Sequence, residues 1–313
     1  MSDIERDDRV LVTGATGVLG VALVSELKTR GYEHVIALSS RDCDLRRERR
    51  VDSLFRSVRP QVLFHLAARV YGIMGNQRNR AESFLDNIRI NTNVVDACRR
   101  TGVRKVIAMG STAMYSDEVP LPMTEESIWF GPPHASEAPY AHAKRAMLAQ
   151  LEAYREGGGP DFALAISTNL FGPHDRFDET WGHVVPSLIS KIHRAVVEGD
   201  ELCIWGTGTP ERDFLYSADA AHALLLIAEG HSGAINVASG VSVTIRELVD
   251  ILVEVAGYPG RVSWDETMPD GQLMRRYDVS RLRALGFAPR YPLGSALATT
   301  FGWYAEHHNE ARR

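Results

Sequence analysis

The sequence predicts an α/β fold, a doubly wound parallel sheet carrying a smaller C-terminal lobe, on three observations. Short apolar, β-branched runs recur through the first half of the chain, and a charged stretch of helical length separates each from the next. The pattern breaks after about Phe171. Alternation of this kind implies parallel strands joined by right-handed crossovers, with ligands outside the carboxyl ends of the strands.

Arg9–Thr13 reads as the first strand, ending in a glycine turn, and Val18–Leu27 as the helix that follows. Later strands are read at Val35–Leu38, Val62–Leu66, Val106–Met109 and Phe162–Ile166. Beyond Phe171, Gly, Pro and aromatic residues come at irregular spacing, as in a lobe that binds substrate. Asp213–Ala228 reads as a strand or turn and a helix running back to the sheet. The division expected is residues 1–170 for the dinucleotide-binding unit, with 213–235 returning to it, and 171–212 plus 236–313 for the substrate lobe.

A chain of 313 residues with a formal net charge of -5 has ordinary globular composition and no basic field for nucleic acid. Its phosphate contacts must come from specific residues. No apolar run approaches the ~20 residues of a membrane span, and the first eight residues are acidic and polar. A soluble cytoplasmic protein is expected, with neither membrane nor nucleic acid as partner. Cys43, Cys98 and Cys203 are too few and too scattered for a disulfide framework or a metal set, so isolated reduced thiols and no metal are expected.

Gly14, Gly17 and Gly20 have the spacing Gly-x-x-Gly-x-x-Gly directly between the first strand and its helix. Glycines there permit a tight turn, close approach of backbone to a pyrophosphate, and close packing of helix on sheet, as in a Rossmann unit. The second strand ends Ser39-Ser40-Arg41-Asp42. An acid at this place selects the free ribose hydroxyl and an arginine accepts a phosphate. With both present, the cofactor is read as NAD(P), NAD and NADP left open.

Tyr140 stands four residues before Lys144, so on one helix phenol and ammonium share a face. The cation can stabilise a phenolate and make a tyrosine whose usual pKa is ~10 serve as acid or base near neutrality. Ser111 follows the strand Val106–Met109 and reaches the ligand edge, where its hydroxyl can bond a substrate oxygen beside Tyr140. This is chemistry for moving a proton while a hydride moves to or from a nicotinamide.

The ordered combination of glycine turn, Ser111, Tyr140 and Lys144 resembles the extended, nucleotide-sugar-modifying branch of the short-chain dehydrogenase/reductase superfamily, and within it the GDP-L-fucose synthase family. The resemblance runs over nearly the whole chain, through Ala67–Asn76, Thr168–Asp175, Gly182–Pro186, Trp205–Phe214 and Pro269–Gly271. It implies Ser111, Tyr140 and Lys144 as the redox triad and Gly14, Thr16, Gly17, Gly20 and Arg41 at the cofactor. It implies Asn87 as a site-lining residue, and Asn169, Lys191, Arg212 and Arg275 at the nucleotide sugar and its diphosphate. Arginine suits that task because it binds diphosphate oxygens bidentately. Lys191 also reads as an ordinary solvated helix lysine. Relatives of this kind imply a homodimer through helices of the sheet unit.

Fucose synthases epimerise the carbons flanking a 4-ketone with a cysteine and a histidine, then reduce the ketone with NADPH. The resemblance puts His183 at the histidine position and Ala113 at the cysteine position; alanine has no proton to exchange. Thr16 stands where the family has an arginine on the NADP phosphate. His183 is then a lone acid or base, a contact to a sugar hydroxyl, or a structural histidine. The leading expectation is a nucleotide-sugar 4-epimerase working through a transient 4-keto sugar, which needs the triad alone. The alternatives are an NADPH-dependent 4-keto-sugar reductase, a GDP-L-fucose synthase-type epimerase-reductase, or a non-catalytic nucleotide-binding regulator. The nucleotide base and the sugar, hexose or heptose, stay open.

Overall fold

The computed structural model describes residues 4–70, 78–179, 182–268 and 270–312. Tyr71–Asn76 of the Ala67–Asn76 segment, and Pro269, lie outside the described residues. The first half alternates as expected: β1 (Arg9–Thr13), α1 (Val18–Thr29), β2 (His34–Leu38), α2 (Glu48–Val58), β3 (Val62–His65), α3 (Arg80–Thr101), β4 (Lys105–Met109), α4 (Ala138–Glu156) and β5 (Asp161–Ser167). Short 3-10 turns at Thr112–Met114 and Glu125–Trp129 lie between β4 and α4.

The second half contributes β6 (Asn169–Phe171), α5 (Val184–Glu198), β7 (Leu202–Trp205), β8 (Glu211–Tyr216), α6 (Ser217–Gly230), β9 (Gly233–Val237) and β10 (Ser242–Thr244). After these come α7 (Ile245–Ala256), β11 (Val262–Asp265), α8 (Ser280–Ala284) and α9 (Leu293–His307).

Six parallel strands form the main sheet in the order β2-β1-β3-β4-β5-β9. The central strands are apolar on both faces because helices cover both. Leu11, Leu63, Val106 and Leu164 face a core closed by Phe55, Val94 and Leu148 of α2, α3 and α4. Their neighbours Val10, Val12, Phe64, Ile107 and Ala163 face the opposite core, closed by Leu23 of α1 and Leu224 of α6. Alternate residues of one strand thus serve two cores.

Residues 213–216 lie in β8, which pairs with β6 and β10 in a separate three-stranded sheet, whereas α6 and β9 lie against and within the main sheet. Around that small sheet a third core gathers Phe171, Phe177, Ile189, Phe214, Leu252 and Leu297. A capping box starts α7: Thr244 Oγ1 accepts from the Glu247 N–H, and the Glu247 carboxylate accepts from the Thr244 N–H. Among the described residues no helix is long and apolar enough to cross a membrane, and no group of His, Cys, Asp and Glu is placed to hold a metal.

Candidate active site

The chain enters the sheet at β1, moves to β2 on one side, then crosses to β3 on the other, so the carboxyl ends of β1 and β3 form a crevice. The glycine turn sits there. Gly14 has φ +72°, and a Cβ on it would lie 2.9 Å from the Ala67 nitrogen just past β3. A Cβ on Gly20 would lie 2.2 Å from the Gly14 carbonyl oxygen. Gly17 differs: it has φ -81° and ψ 170°, and a Cβ on it would come no nearer than 3.4 Å to that oxygen. The protein's own packing therefore requires glycine at 14 and 20, while at 17 the remaining reason is room for a ligand at the start of α1.

At the end of β2, the Asp42 carboxylate accepts from the Ser39 N–H at 2.8 Å and from Ser39 Oγ at 2.6 Å, bonds that hold its pKa below the usual carboxylate range. Asp42 is thereby committed to its own turn. Arg41 is exposed and has no ion-pair partner among the described residues. Thr16, also exposed, adds no charge beside the turn. A bare glycine cradle, a helix start and an unpaired guanidinium fit a phosphate-bearing dinucleotide.

Ser111 follows β4 and precedes the 3-10 turn, its Oγ accepting from the Ala113 N–H at 3.2 Å. Lys144 is 1 % exposed, and its Nζ donates to the Met109 carbonyl at 2.7 Å. The next residue, Arg145, is also buried and donates from Nε and Nη2 to the Met114 carbonyl at 2.9 and 2.6 Å. Two adjacent cations on α4 thus hold both ends of Met109–Met114, and Ser111 between them. Burial lowers the Lys144 pKa to about 8. Tyr140 stands with its ring centroid 5.8 Å from that Nζ; burial, with a smaller push from the Glu137 charge, raises the phenol pKa. At neutral pH the pair is a protonated phenol beside an ammonium.

Beneath it runs a buried polar chain. His65 at the end of β3 faces Thr13 Oγ1 through Nδ1 at 2.9 Å and Asn91 Oδ1 through Nε2 at 3.2 Å, and Asn91 Nδ2 reaches the Ala143 carbonyl at 3.5 Å. Since Asn91 Oδ1 only accepts, Nε2 carries the proton and Nδ1 accepts from the threonine, which assigns the neutral tautomer. Burial, reinforced by the Lys144 charge, lowers the His65 pKa to about 3.

The lobe supplies two arginines to the same region. The Glu211 N–H donates to the Leu273 carbonyl, which lays the 273–276 segment along β8 and brings Arg275 beside Arg212. Burial and the neighbouring Arg275 charge both lower the Arg212 pKa. Arg275 is buried; Nη1 donates to the Thr112 carbonyl at 3.1 Å, while buried Nε and Nη2 make no hydrogen bond. The Nη2 lies 3.5 Å from an Asp117 carboxylate oxygen. Two close guanidiniums with spare donors suit an anion with several oxygens.

Asp270 accepts from the Thr207 N–H at 2.7 Å and from Thr207 Oγ1 at 2.8 Å, so Trp205–Phe214 and Asp270–Gly271 form one unit. Asn169 donates to the Asp213 carbonyl at 3.1 Å, leaving its amide oxygen available. The Lys191 ammonium lies 5.8 Å from the ring centroid of the exposed Trp205, a cation–π contact. His183 is exposed at the start of α5, and among the described residues no hydrogen bond or ion pair joins it to Ser111, Tyr140 or Lys144.

The NAD dependent epimerase/dehydratase family matches residues 10–238. This chain belongs to that family. It is 36% identical to a probable GDP-L-fucose synthase 1 of Oryza sativa subsp. japonica over 99% of this chain and 95% of that protein. It is 33% identical to the GDP-L-fucose synthase of Escherichia coli (strain K12), over 97% and 98% of the two chains. The crystal structure of a GDP-L-fucose synthetase from Naegleria fowleri bound to NADP superposes with a TM-score of 0.94 at 32% identity, covering 100% of this chain and 97% of that one.

As a family member the chain is an NAD(P)-dependent enzyme of the extended short-chain dehydrogenase/reductase type. The resemblance to the GDP-L-fucose synthase family implied Asn87 as a site-lining residue, and the structure places it beneath the backbone that follows β3. Asn87 is fully buried; its amide accepts from the Arg69 N–H and donates to the Arg69 and Ser83 carbonyls, so it fixes the backbone after β3. Sequence reasoning also missed Arg145, His65 and Asn91, whose partners are backbone atoms or lie far along the chain.

Proposed function

We propose that this enzyme reduces the 4-keto group of a nucleoside-diphosphate sugar, a GDP sugar, with NADPH. The observation that carries this reading is the Tyr140–Lys144 pair, a phenol kept protonated by burial beside a buried ammonium. A ketone being reduced needs a proton donor at its oxygen, and this pair is one. When bound, the reduced nicotinamide supplies the hydride. Arg212 and Arg275 hold the diphosphate, and Ser111 Oγ donates a hydrogen bond to the C4 oxygen. Tyr140 gives its proton to that oxygen, and the Lys144 charge stabilises the phenolate left behind. Arg41, with Asp42 tied to Ser39, supports NADPH over NADH.

Relatives named GDP-L-fucose synthase support an epimerase-reductase, and this reading keeps its reductive half. The epimerising half lacks a base at Ala113, which is buried. That same alanine favours a second reading, C4 epimerisation by the triad alone. A homodimer through the α3–α4 layer, where Phe84 and Leu85 are exposed, belongs to the proposal.

The test is incubation of the purified protein with NADPH and GDP-4-keto-6-deoxymannose in deuterated water. Stoichiometric NADPH oxidation is expected, with no deuterium at the carbons flanking C4, and Tyr140→Phe lowers turnover about 10²- to 10⁴-fold. Interconversion of C4 epimers without net NADPH consumption refutes it in favour of the epimerase.

A further inference from the structure

Asp117 stands where three segments meet. Its own loop follows β4 and the 3-10 turn at Thr112–Met114, and its neighbour Ser116 bridges to Pro133 in the loop that leads into α4. Gln272 and Arg275 reach Asp117 from the lobe segment that runs along β8. The Arg275 Nη2 lies 3.5 Å from Asp117 Oδ1, a charge pair without a hydrogen bond. Arg275 is held independently by the bond from its Nη1 to the Thr112 carbonyl, while its buried Nε is also without a hydrogen bond. The Asp117 side chain is 43% exposed and has two further donors beside it. Gln272 Nε2 donates to Oδ1. His134 Nδ1 accepts from the Ser136 N–H at 3.4 Å, so Nε2 carries the proton, and it lies 3.8 Å from Asp117 Oδ2.

A buried guanidinium with a second one, Arg212, beside it needs negative charge nearby. Asp117 supplies that charge but leaves the Arg275 donors unfilled. An anion whose oxygens reach Nε and Nη2 makes the charge-assisted bonds that Asp117 does not. Asp117 can then give up Arg275 without being stranded, because Gln272 and His134 remain beside it, and Arg275 keeps its place through Thr112. We propose that Asp117 is a stand-in anion: it neutralises Arg275 when no ligand is bound and competes with the nucleotide diphosphate for it, so its charge sets how tightly the diphosphate is held. The proposal rests on the nucleotide-sugar reading of the site.

The experiment is a binding titration of the full chain with GDP and with guanosine, for the native protein, Asp117→Asn and Asp117→Ala, each alone and combined with Arg275→Gln. Asparagine keeps an acceptor for Gln272 and removes the charge, whereas alanine removes both. In both variants the ratio of GDP to guanosine affinity should rise about two- to fivefold, as expected for removing one partly exposed charge. In the Arg275→Gln background that gain should shrink, because the two residues act as a pair. Loosening of the loop alone would lower GDP affinity or leave the ratio unchanged, and either result overturns the role of Asp117 while the nucleotide-sugar reading stands. A gain of the same size in the Arg275→Gln background also overturns it, because Asp117 would then act on the ligand without Arg275. A native protein that binds no GDP overturns both.

Discussion

His65 makes the protein acid-sensitive by a calculable amount. Its folded pKa is about 3, set by burial and by Lys144, against an ordinary 6.5. Between those values the unfolded chain binds a proton that the native protein refuses, so stability rises with pH across the window and falls as pH drops through it. From about pH 7.5 to about pH 5 this single group should remove ~2 kcal/mol.

The perturbation is His65→Gln, which cannot titrate and keeps an amide to face Asn91. The assay is the unfolding midpoint in urea at a series of pH values for both proteins. His65→Gln should be less stable than the native chain near neutrality, because its fit to Thr13 is poorer. Its deficit should shrink by ~2 kcal/mol by about pH 5. Stability curves that stay parallel across that window would show that His65 is not held neutral, and the tautomer assigned from Thr13 and Asn91 would fall with it.

The glycine turn gives a paired prediction: Gly20→Ala destabilises the fold by ~1–3 kcal/mol or more through overlap with Gly14. Gly17→Ala folds normally but weakens NADPH binding about tenfold, by thermal melts and fluorescence titration. Arg41→Ala should cost NADPH on the order of ten- to hundredfold in affinity while sparing NADH; equal losses would mean that Arg41 does not meet the ribose phosphate. Ala113→Cys should introduce exchange of protons flanking the 4-ketone in deuterated water, read by mass spectrometry, with ketone reduction retained. Raising pH through about 8 should discharge Lys144 and lower turnover, and Lys144→Met should abolish that limb of the profile.

The main sheet was readable because buried parallel strands are continuous apolar runs, as in Val106–Met109, and each is set off by turns and charged helices. The order of Ser111, Tyr140 and Lys144 around the glycine turn pointed to residues that the structure sets close together, Lys144 Nζ 5.8 Å from the Tyr140 ring centroid and bonded to the Met109 carbonyl just before Ser111. The bonds of Asn87 were not legible because a sequence does not say whether an amide serves a ligand or a backbone, and here it donates to the Arg69 and Ser83 carbonyls. His65 and Asn91 escaped notice because they stand 26 positions apart and meet only in the folded core. Arg145 was not singled out by any motif, because its partner, the Met114 carbonyl, stands 31 positions away along the chain. Residues 213–216 carried no sign that they pair with β6, a partnership between two short strands far apart along the chain.

The grip of Lys144 and Arg145 on Met109 and Met114 has a consequence for how this enzyme could change its substrate. On the proposed function, proton donor, ammonium and serine form a cassette whose shape depends on one helix and one strand end. Nothing a ligand does is needed to assemble it, so binding energy is free to be used on the sugar. On the proposed function, lineages that alter the lobe can therefore take up new sugars while inheriting the reacting centre unaltered, and a search for the determinants of substrate choice belongs around Arg212, Arg275 and the rest of the 270–277 segment.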